Sequence, residues 1–113
     1  MSDQATLEPK ARVEAIRVIE RRAEQSGKTH TRVTLNELGC CDLHGLTVDT
    51  DALLYLPATW FAERWTYRCS GVADVTDDRT KVRQQVPVLV EAVVSIDDED
   101  NFGGRTQILQ CLS

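Results

Sequence analysis

The sequence lacks long apolar runs and an apolar N-terminal leader. No stretch of its 113 residues approaches the roughly 20 consecutive apolar residues that a membrane-spanning helix needs. Residues 1–16 carry charged side chains throughout, without the apolar core of a secretory signal peptide. Both absences favour a cytoplasmic location, where the four cysteines are expected to be reduced thiols.

Internal repeats, low-complexity tracts and a domain linker are also missing from the sequence. Hydrophobic residues make up 42% of the chain and charged residues 27%, which is ordinary for a globular protein and argues against disorder. A chain of this length buries enough surface to fold without disulfide or metal staples. We therefore expect one domain over residues 1–113, with a flexible N-terminus at residues 1–6.

Net positive charge is confined to the first third of the chain. Residues 1–32 hold seven Lys/Arg and five Asp/Glu, a balance of +2, and residues 33–113 hold six and thirteen, a balance of −7. The two values add to the net charge of −5. An acidic body repels nucleic acid, so direct binding of DNA or RNA is disfavoured and a basic protein partner is favoured.

Helical periodicity appears at residues 7–26. The apolar positions that share one face are Ala11, Ala15, Val18 and Ile19. Gly27 is expected to end this helix. Because the stripe is thin and rich in alanine, the helix should pack against a sheet or against a copy of itself, which makes a homo-oligomer conceivable.

Strand-like alternation dominates the rest of the chain. It appears in residues 31–38, resumes at 43–49 with Leu46 and Val48, and recurs in 67–75 and at 105–112. It is strongest in 86–96, where every even position is apolar. The segment ALLYLP, residues 52–57, is apolar on both faces and predicts a buried strand. The last three strands are joined by short polar turns, as in an antiparallel meander.

These elements predict an α+β fold. An N-terminal helix is followed by a mainly antiparallel sheet, or a small barrel, of five to six strands with one short interposed helix. A barrel of the oligonucleotide-binding type fits the strand count, but this analogy concerns the fold and not the function.

The stretch GCCDLHG, residues 39–45, concentrates possible metal ligands and nucleophiles. Cys41 and His44 have the spacing of one zinc ligand pair, but the sequence offers no second pair. A cysteine nucleophile with His44 as its base lacks an orienting residue. The stretch is therefore interpreted as a glycine-flanked turn, and no metal, cofactor or catalytic residue is predicted.

Two other motifs are incomplete. SGKTH, residues 26–30, resembles the end of a phosphate-binding loop, but Arg22 stands where that loop requires glycine. DDED, residues 97–100, lacks the alternating spacing of a calcium loop. The acidic run is interpreted as a solvated hairpin tip that, together with Asp77 and Asp78, presents a negative patch to a basic partner.

Both tryptophans lie within TWFAERWTYR, residues 59–68. Pro57 suits the start of a short helix over residues 57–65, in which Trp60 and Arg64 lie four residues apart on one face. Trp and Arg are enriched in interface hot spots, which favours a partner-binding role. The alternatives are that Trp60 covers the edge of the core, or that it stacks on single-stranded nucleic acid, which the acidic surroundings disfavour.

The sequence favours a non-enzymatic protein–protein interaction domain. It would act as a small acidic assembly subunit, adaptor or inhibitor on a larger complex, where it could occupy a basic nucleic-acid-binding surface. An oligonucleotide-binding-type module for single strands is the first alternative, and a small metal or thiol protein using residues 40–44 is the second. The predicted partner-binding residues are Trp60, Arg64, Asp77, Asp78, Asp97, Asp98 and Asp100.

Overall fold

A computed structural model describes residues 4–35, 38–57 and 64–110. Their elements in chain order are α1 (Gln4–Lys28), β1 (Thr31–Leu35), β2 (Gly39–Val48), a 3-10 turn (Thr50–Ala52), β3 (Leu54–Leu56), β4 (Arg64–Asp77), β5 (Arg83–Ile96) and β6 (Phe102–Gln110). This arrangement confirms the predicted α+β fold.

All six strands belong to one antiparallel sheet that is nearly barrel-shaped. Its order is β1-β2-β4-β5-β6, and the edge strands β1 and β6 approach each other. Two strands share one edge of β4, because β2 pairs with Gly71–Asp77 and β3 pairs with Thr66–Arg68. Neighbouring strands thus follow one another around the sheet, unlike the Greek-key order of an oligonucleotide-binding fold.

The helix α1 covers the inner face of this sheet, where it packs mainly against β2, β5 and β6. Ala11, Ala15 and Ile19 are fully buried, which confirms the predicted stripe and shows that the chain's own sheet covers it. The helix continues through Gly27 to Lys28, so the prediction that Gly27 ends the helix was wrong.

Buried and more exposed residues alternate along β4 and β5, so that one face of these strands lines the core opposite the helix. All six even residues from Val86 to Ile96 are buried, as the sequence predicted. Trp65 and Tyr67 on β4 are fully buried beside them. Arg12 of the helix lies with its guanidinium 5.5 Å from the centre of the Tyr67 ring, which gives the helix a cation–π contact with the sheet.

Three local predictions differ from the structure. Residues 39–45, predicted as a turn, belong to the strand β2, because Gly39 takes the left-handed backbone angle at the start and the chain then extends; the alternation at 43–49 did predict the second half of this strand. In the segment ALLYLP, Leu54 is 60% exposed, since only one face of β3 meets the core. The predicted helix over 57–65 falls mostly outside the described residues, but Arg64 and Trp65 belong to β4.

Candidate functional site

The outer face of the sheet carries the main cluster of metal-ligating side chains. Along β2, Cys41 and Leu43 point into the core, so Asp42 and His44 lie on the outer face. A bulge at His44 interrupts the pairing with β4 between Leu43 and Gly45. Bulges of this kind turn a side chain away from the regular pleat and are common beside functional sites.

The third member of the cluster, His30, comes from the connection between α1 and β1. The β1–β2 pairing begins at Thr31 and Leu43, and His30, which immediately precedes Thr31, has its ring beside that of His44. Nε2 of His30 lies 3.3 Å from Nδ1 of His44, and Nδ1 of His30 lies 3.5 Å from Oδ2 of Asp42. One potential ligand atom from each of the three residues falls within 4.8 Å of the other two.

A threonine on β4 fixes the His44 ring. Nε2 of His44 lies 2.6 Å from the hydroxyl oxygen of Thr76. When Nε2–H donates to this hydroxyl, the lone pair of Nδ1 faces His30. The rings of His30 and His44 meet edge to face, with their centres 4.4 Å apart.

Ion pairs surround this cluster without using its carboxylate. Arg32 is paired with Asp42 in the strand register, yet its guanidinium binds both carboxylate oxygens of Asp78. Arg83 likewise binds Asp74 through its side chain. Among the described residues, the contact of the Asp42 carboxylate is therefore with Nδ1 of His30, 3.5 Å away.

The described thiols do not support either chemical interpretation of GCCDLHG. Cys41 is fully buried and faces away from His44, so these two residues do not form the ligand pair that the spacing suggested. Burial and then the nearby carboxylate of Asp77 raise the pKa of Cys41, and burial raises that of Cys69. Cys40 is exposed, and its sulfur lies 3.9 Å from the hydroxyl of Thr34.

The acidic turn after β4 is largely occupied by internal contacts. Asp77 is only 3% exposed, and its Oδ1 accepts a hydrogen bond from the backbone N–H of Arg79. Asp78 is bound by Arg32, which holds the pKa of its carboxyl below the ordinary value. In this structure Asp77 shapes the turn and Asp78 ties it to β1.

The acidic turn after β5 has a different organisation. Oδ1 of Asp97 accepts hydrogen bonds from the backbone N–H groups of Glu99 and Asn101, which lowers the pKa of Asp97. Asp98, Glu99 and Asp100 are exposed and form no ion pair with any residue that the structure describes. We call residues 97–100 the acidic tip.

The two acidic turns lie at opposite ends of β5 and do not form the single patch that was expected. At a rise of about 3.3 Å per residue, the 14 residues of this strand separate them by roughly 40 Å. Arg64 is paired with Ser95, so it lies at the same end as the acidic tip. Trp60 lies outside the described residues, and its predicted role stays a prediction.

Comparison with protein-family models, with curated proteins and with solved structures found no match to this chain. Within the described part of the chain, no helix combines the length and the hydropathy needed to cross a bilayer. The sequence did not reveal the His30–Asp42–His44 cluster, because the spacing in GCCDLHG suggested Cys41 as the partner of His44 and His30 lies fourteen positions away from His44. The signal that could have found it is a hairpin of residues 31–48, in which the pairing of Thr31 with Leu43 brings the preceding His30 close to His44.

Proposed function

We propose that the chain is a non-enzymatic protein-interaction domain. In this proposal it is a small acidic subunit, adaptor or inhibitor that docks on the basic surface of a larger complex. The observation that carries the proposal is the acidic tip, whose exposed carboxylates lack ion-pair partners among the described residues. By contrast, arginines neutralise Glu14, Asp74, Asp78 and Glu91 within the chain.

The acidic tip is held in a defined shape. The Asp97 carboxylate anchors the turn, and the backbone N–H of Asp100 donates to the carbonyl of Asp97 over 3.1 Å. A turn that is already ordered loses little conformational entropy when it binds, so its charges favour encounter with a basic surface at low cost. Arg64 borders the same end of the sheet and belongs to the same proposed surface.

The environment of Cys41 and Cys69 favours this proposal over catalysis by either of these two thiols. A cysteine nucleophile reacts as the thiolate, and burial of Cys41 and Cys69 raises their pKa values and shields them from substrate. His44 points to the outer face, away from both of these thiols.

A charge-matched pair of variants tests the proposal. The first carries Asp98→Asn, Glu99→Gln and Asp100→Asn, and leaves Asp97 to hold the turn. The control carries Glu24→Gln, Asp49→Asn and Asp51→Asn, which are exposed positions outside the acidic tip. Each variant, and the unaltered protein, is used for quantitative affinity capture from a lysate of the source cell at low and at moderate salt.

We expect specific partners to be retained by the unaltered protein and the control, and to be lost or strongly reduced with the acidic-tip variant. Retention of these partners should fall as salt rises, because exposed charges are screened. If all three proteins retain the same partners equally, the acidic tip is not the docking surface and the proposal fails.

A further inference from the structure

We propose that His30, Asp42 and His44 bind one divalent transition-metal ion of the type that prefers imidazole, with Zn²⁺ as the representative ion. This site is independent of the acidic tip, since it lies near the other end of β4 beside Thr76. It also departs from the expectation of no metal, because the fold and not a sequence motif brings His30 to the cluster.

The spacing of the imidazoles matches a shared ion. Two nitrogens that each lie about 2.0–2.1 Å from a tetrahedral Zn²⁺ are separated by about 3.3 Å. Nε2 of His30 and Nδ1 of His44 are 3.3 Å apart. The Asp42 carboxylate is the proposed third ligand. Its Oδ2 lies 3.5 Å from Nδ1 of His30, the nitrogen that does not face His44, so the His30 side chain, which is 62% exposed, must rotate to bring the three ligand atoms to one ion.

Neighbouring side chains orient His44 and keep Asp42 out of an arginine ion pair. Metal-bound histidines usually donate their second ring N–H to a protein acceptor, which fixes the ring and the tautomer. Thr76 provides such an acceptor for Nε2 of His44 at 2.6 Å, and in this tautomer Nδ1 carries the lone pair that the ion would bind. The pairing of Arg32 with Asp78 leaves the Asp42 carboxylate for the metal.

The backbone already brings the three residues together. Asp42 and His44 lie two apart on one strand, and the β1–β2 pairing brings His30 alongside. Three protein ligands on a solvent-facing surface leave at least one coordination position for water or another donor. Two imidazole ligands suit Zn²⁺, Ni²⁺, Cu²⁺ and Fe²⁺, whereas Ca²⁺ and Mg²⁺ prefer sites made of oxygen ligands alone.

The ion would join the exit of α1 to β2. His30 follows the C-terminal end of the helix by two residues, while Asp42 and His44 belong to the sheet. Binding to the folded state alone raises apparent stability in proportion to the logarithm of the free ion concentration. Metal should therefore raise the melting temperature of the folded protein as well as bind to it.

The test uses the full chain without an affinity tag, stripped with chelator. Zn²⁺ binding is measured by titration calorimetry, and Co²⁺ binding by the visible absorption bands of the bound ion. The variants are His30→Ala, His44→Ala, Asp42→Asn and Thr76→Val. Cys40→Ser is the matched control, because Cys40 is an exposed zinc-binding side chain on the same face of β2. Melting temperature in chelator shows whether each variant is folded.

We expect one ion per chain for the unaltered protein and for Cys40→Ser, with a raised melting temperature. Loss of either histidine or of Asp42 should abolish tight binding, and Thr76→Val should weaken it by about tenfold, as for other groups that orient a ligand. His30 is exposed, so its alanine variant should fold even if that of His44 does not.

Three results would each overturn the proposal. One is absence of stoichiometric binding by the unaltered protein. The second is binding that survives in the folded His30→Ala variant, and the third is binding that disappears in Cys40→Ser. Since the acidic tip is unchanged in all these variants, these results leave the proposed interaction function untouched.

Discussion

Gly104 of β6 lies directly against Val18 of the helix. A Cβ atom built on Gly104 would come within 3.1 Å of one methyl carbon of Val18 and 3.3 Å of the other. Such distances are shorter than ordinary van der Waals contact, so hydrogen in place of a side chain allows the helix and the sheet to approach at this point. The neighbouring Gly103 has open space at its Cβ position.

These two adjacent glycines give the first prediction. Gly104→Ala should lower the free energy of unfolding by about 1–2 kcal/mol, because the added methyl group overpacks the contact with Val18. Gly103→Ala should be neutral or slightly stabilising, since it restricts only the unfolded chain. Urea denaturation of both variants provides the comparison. Equal effects of the two changes would show that the helix does not press on Gly104.

The second prediction concerns the two faces of the sheet. Val90→Asp should leave the chain unfolded, because it places an unpaired charge at a fully buried position of β5. Val72→Asp introduces the same side chain on the outer face of β4, where Val72 is 41% exposed, and should cost about 1 kcal/mol or less. Far-ultraviolet circular dichroism and thermal melts distinguish them. A folded Val90→Asp variant would mean that Val90 does not face the core and that the inward-facing residues of β5 are assigned wrongly.

Tyr67 gives a prediction of pH dependence. Its hydroxyl donates to Oε1 of Glu8 over 3.0 Å, and burial followed by this hydrogen bond raises the pKa of Tyr67 above its ordinary value. An unfolded tyrosine titrates near about pH 10, so the unfolded state loses its proton first. The stability that Tyr67 contributes is thus complete below about pH 10 and falls as the pH rises further.

Replacing Tyr67 by phenylalanine should remove this alkaline loss. At neutral pH the variant should be less stable by about 1 kcal/mol, because the bond to Glu8 is lost. Above about pH 10 its stability should fall less steeply than that of the unaltered protein. Cys41 and Cys69 also have raised pKa values, so both proteins share a further decrease of the free energy of unfolding as the pH rises. If the free energy of unfolding falls equally steeply in both proteins from pH 8 to 11, the assigned environment of Tyr67 is contradicted.

Thiol reactivity supplies the fourth prediction. In a Cys111→Ser background, Cys40 should be alkylated rapidly in the native protein, whereas Cys41 and Cys69 should react only after unfolding. The reason is that alkylation requires an accessible thiolate, which burial disfavours at both inner positions. Mass spectrometry of peptides after brief iodoacetamide treatment measures each site. If Cys41 is labelled as fast as Cys40, then Cys41 does not face the core and the inward-facing residues of β2 are assigned wrongly.

The parts of the fold that the sequence predicts well are those with one buried face. Period-two alternation identified the even residues of β5, and the helical stripe identified Ala11, Ala15 and Ile19, because burial selects apolar side chains at every repeat. Leu54 is a residue for which reasoning from apolar patterns gave the wrong burial. An apolar run predicted two buried faces, but one face of β3 meets solvent, where Leu54 is exposed.

The candidate sites depend on pairing register, which the sequence alone specifies weakly. His30 and His44 are fourteen positions apart and meet only through the β1–β2 pairing. Flanking glycines suggested a turn at residues 39–45, whereas the chain continues as a strand with a bulge. The two acidic turns were combined into one patch because their composition is alike, although the length of β5 keeps them apart.

The covering of α1 by later strands has a consequence for synthesis. The helix is translated before all six strands, yet β5 and β6 cover much of its apolar face. A nascent chain must therefore carry this face uncovered by its own sheet until the final hairpin emerges from the ribosome. Alanine at positions 11 and 15 keeps the exposed apolar area small during that interval, which limits the time-dependent risk of aggregation.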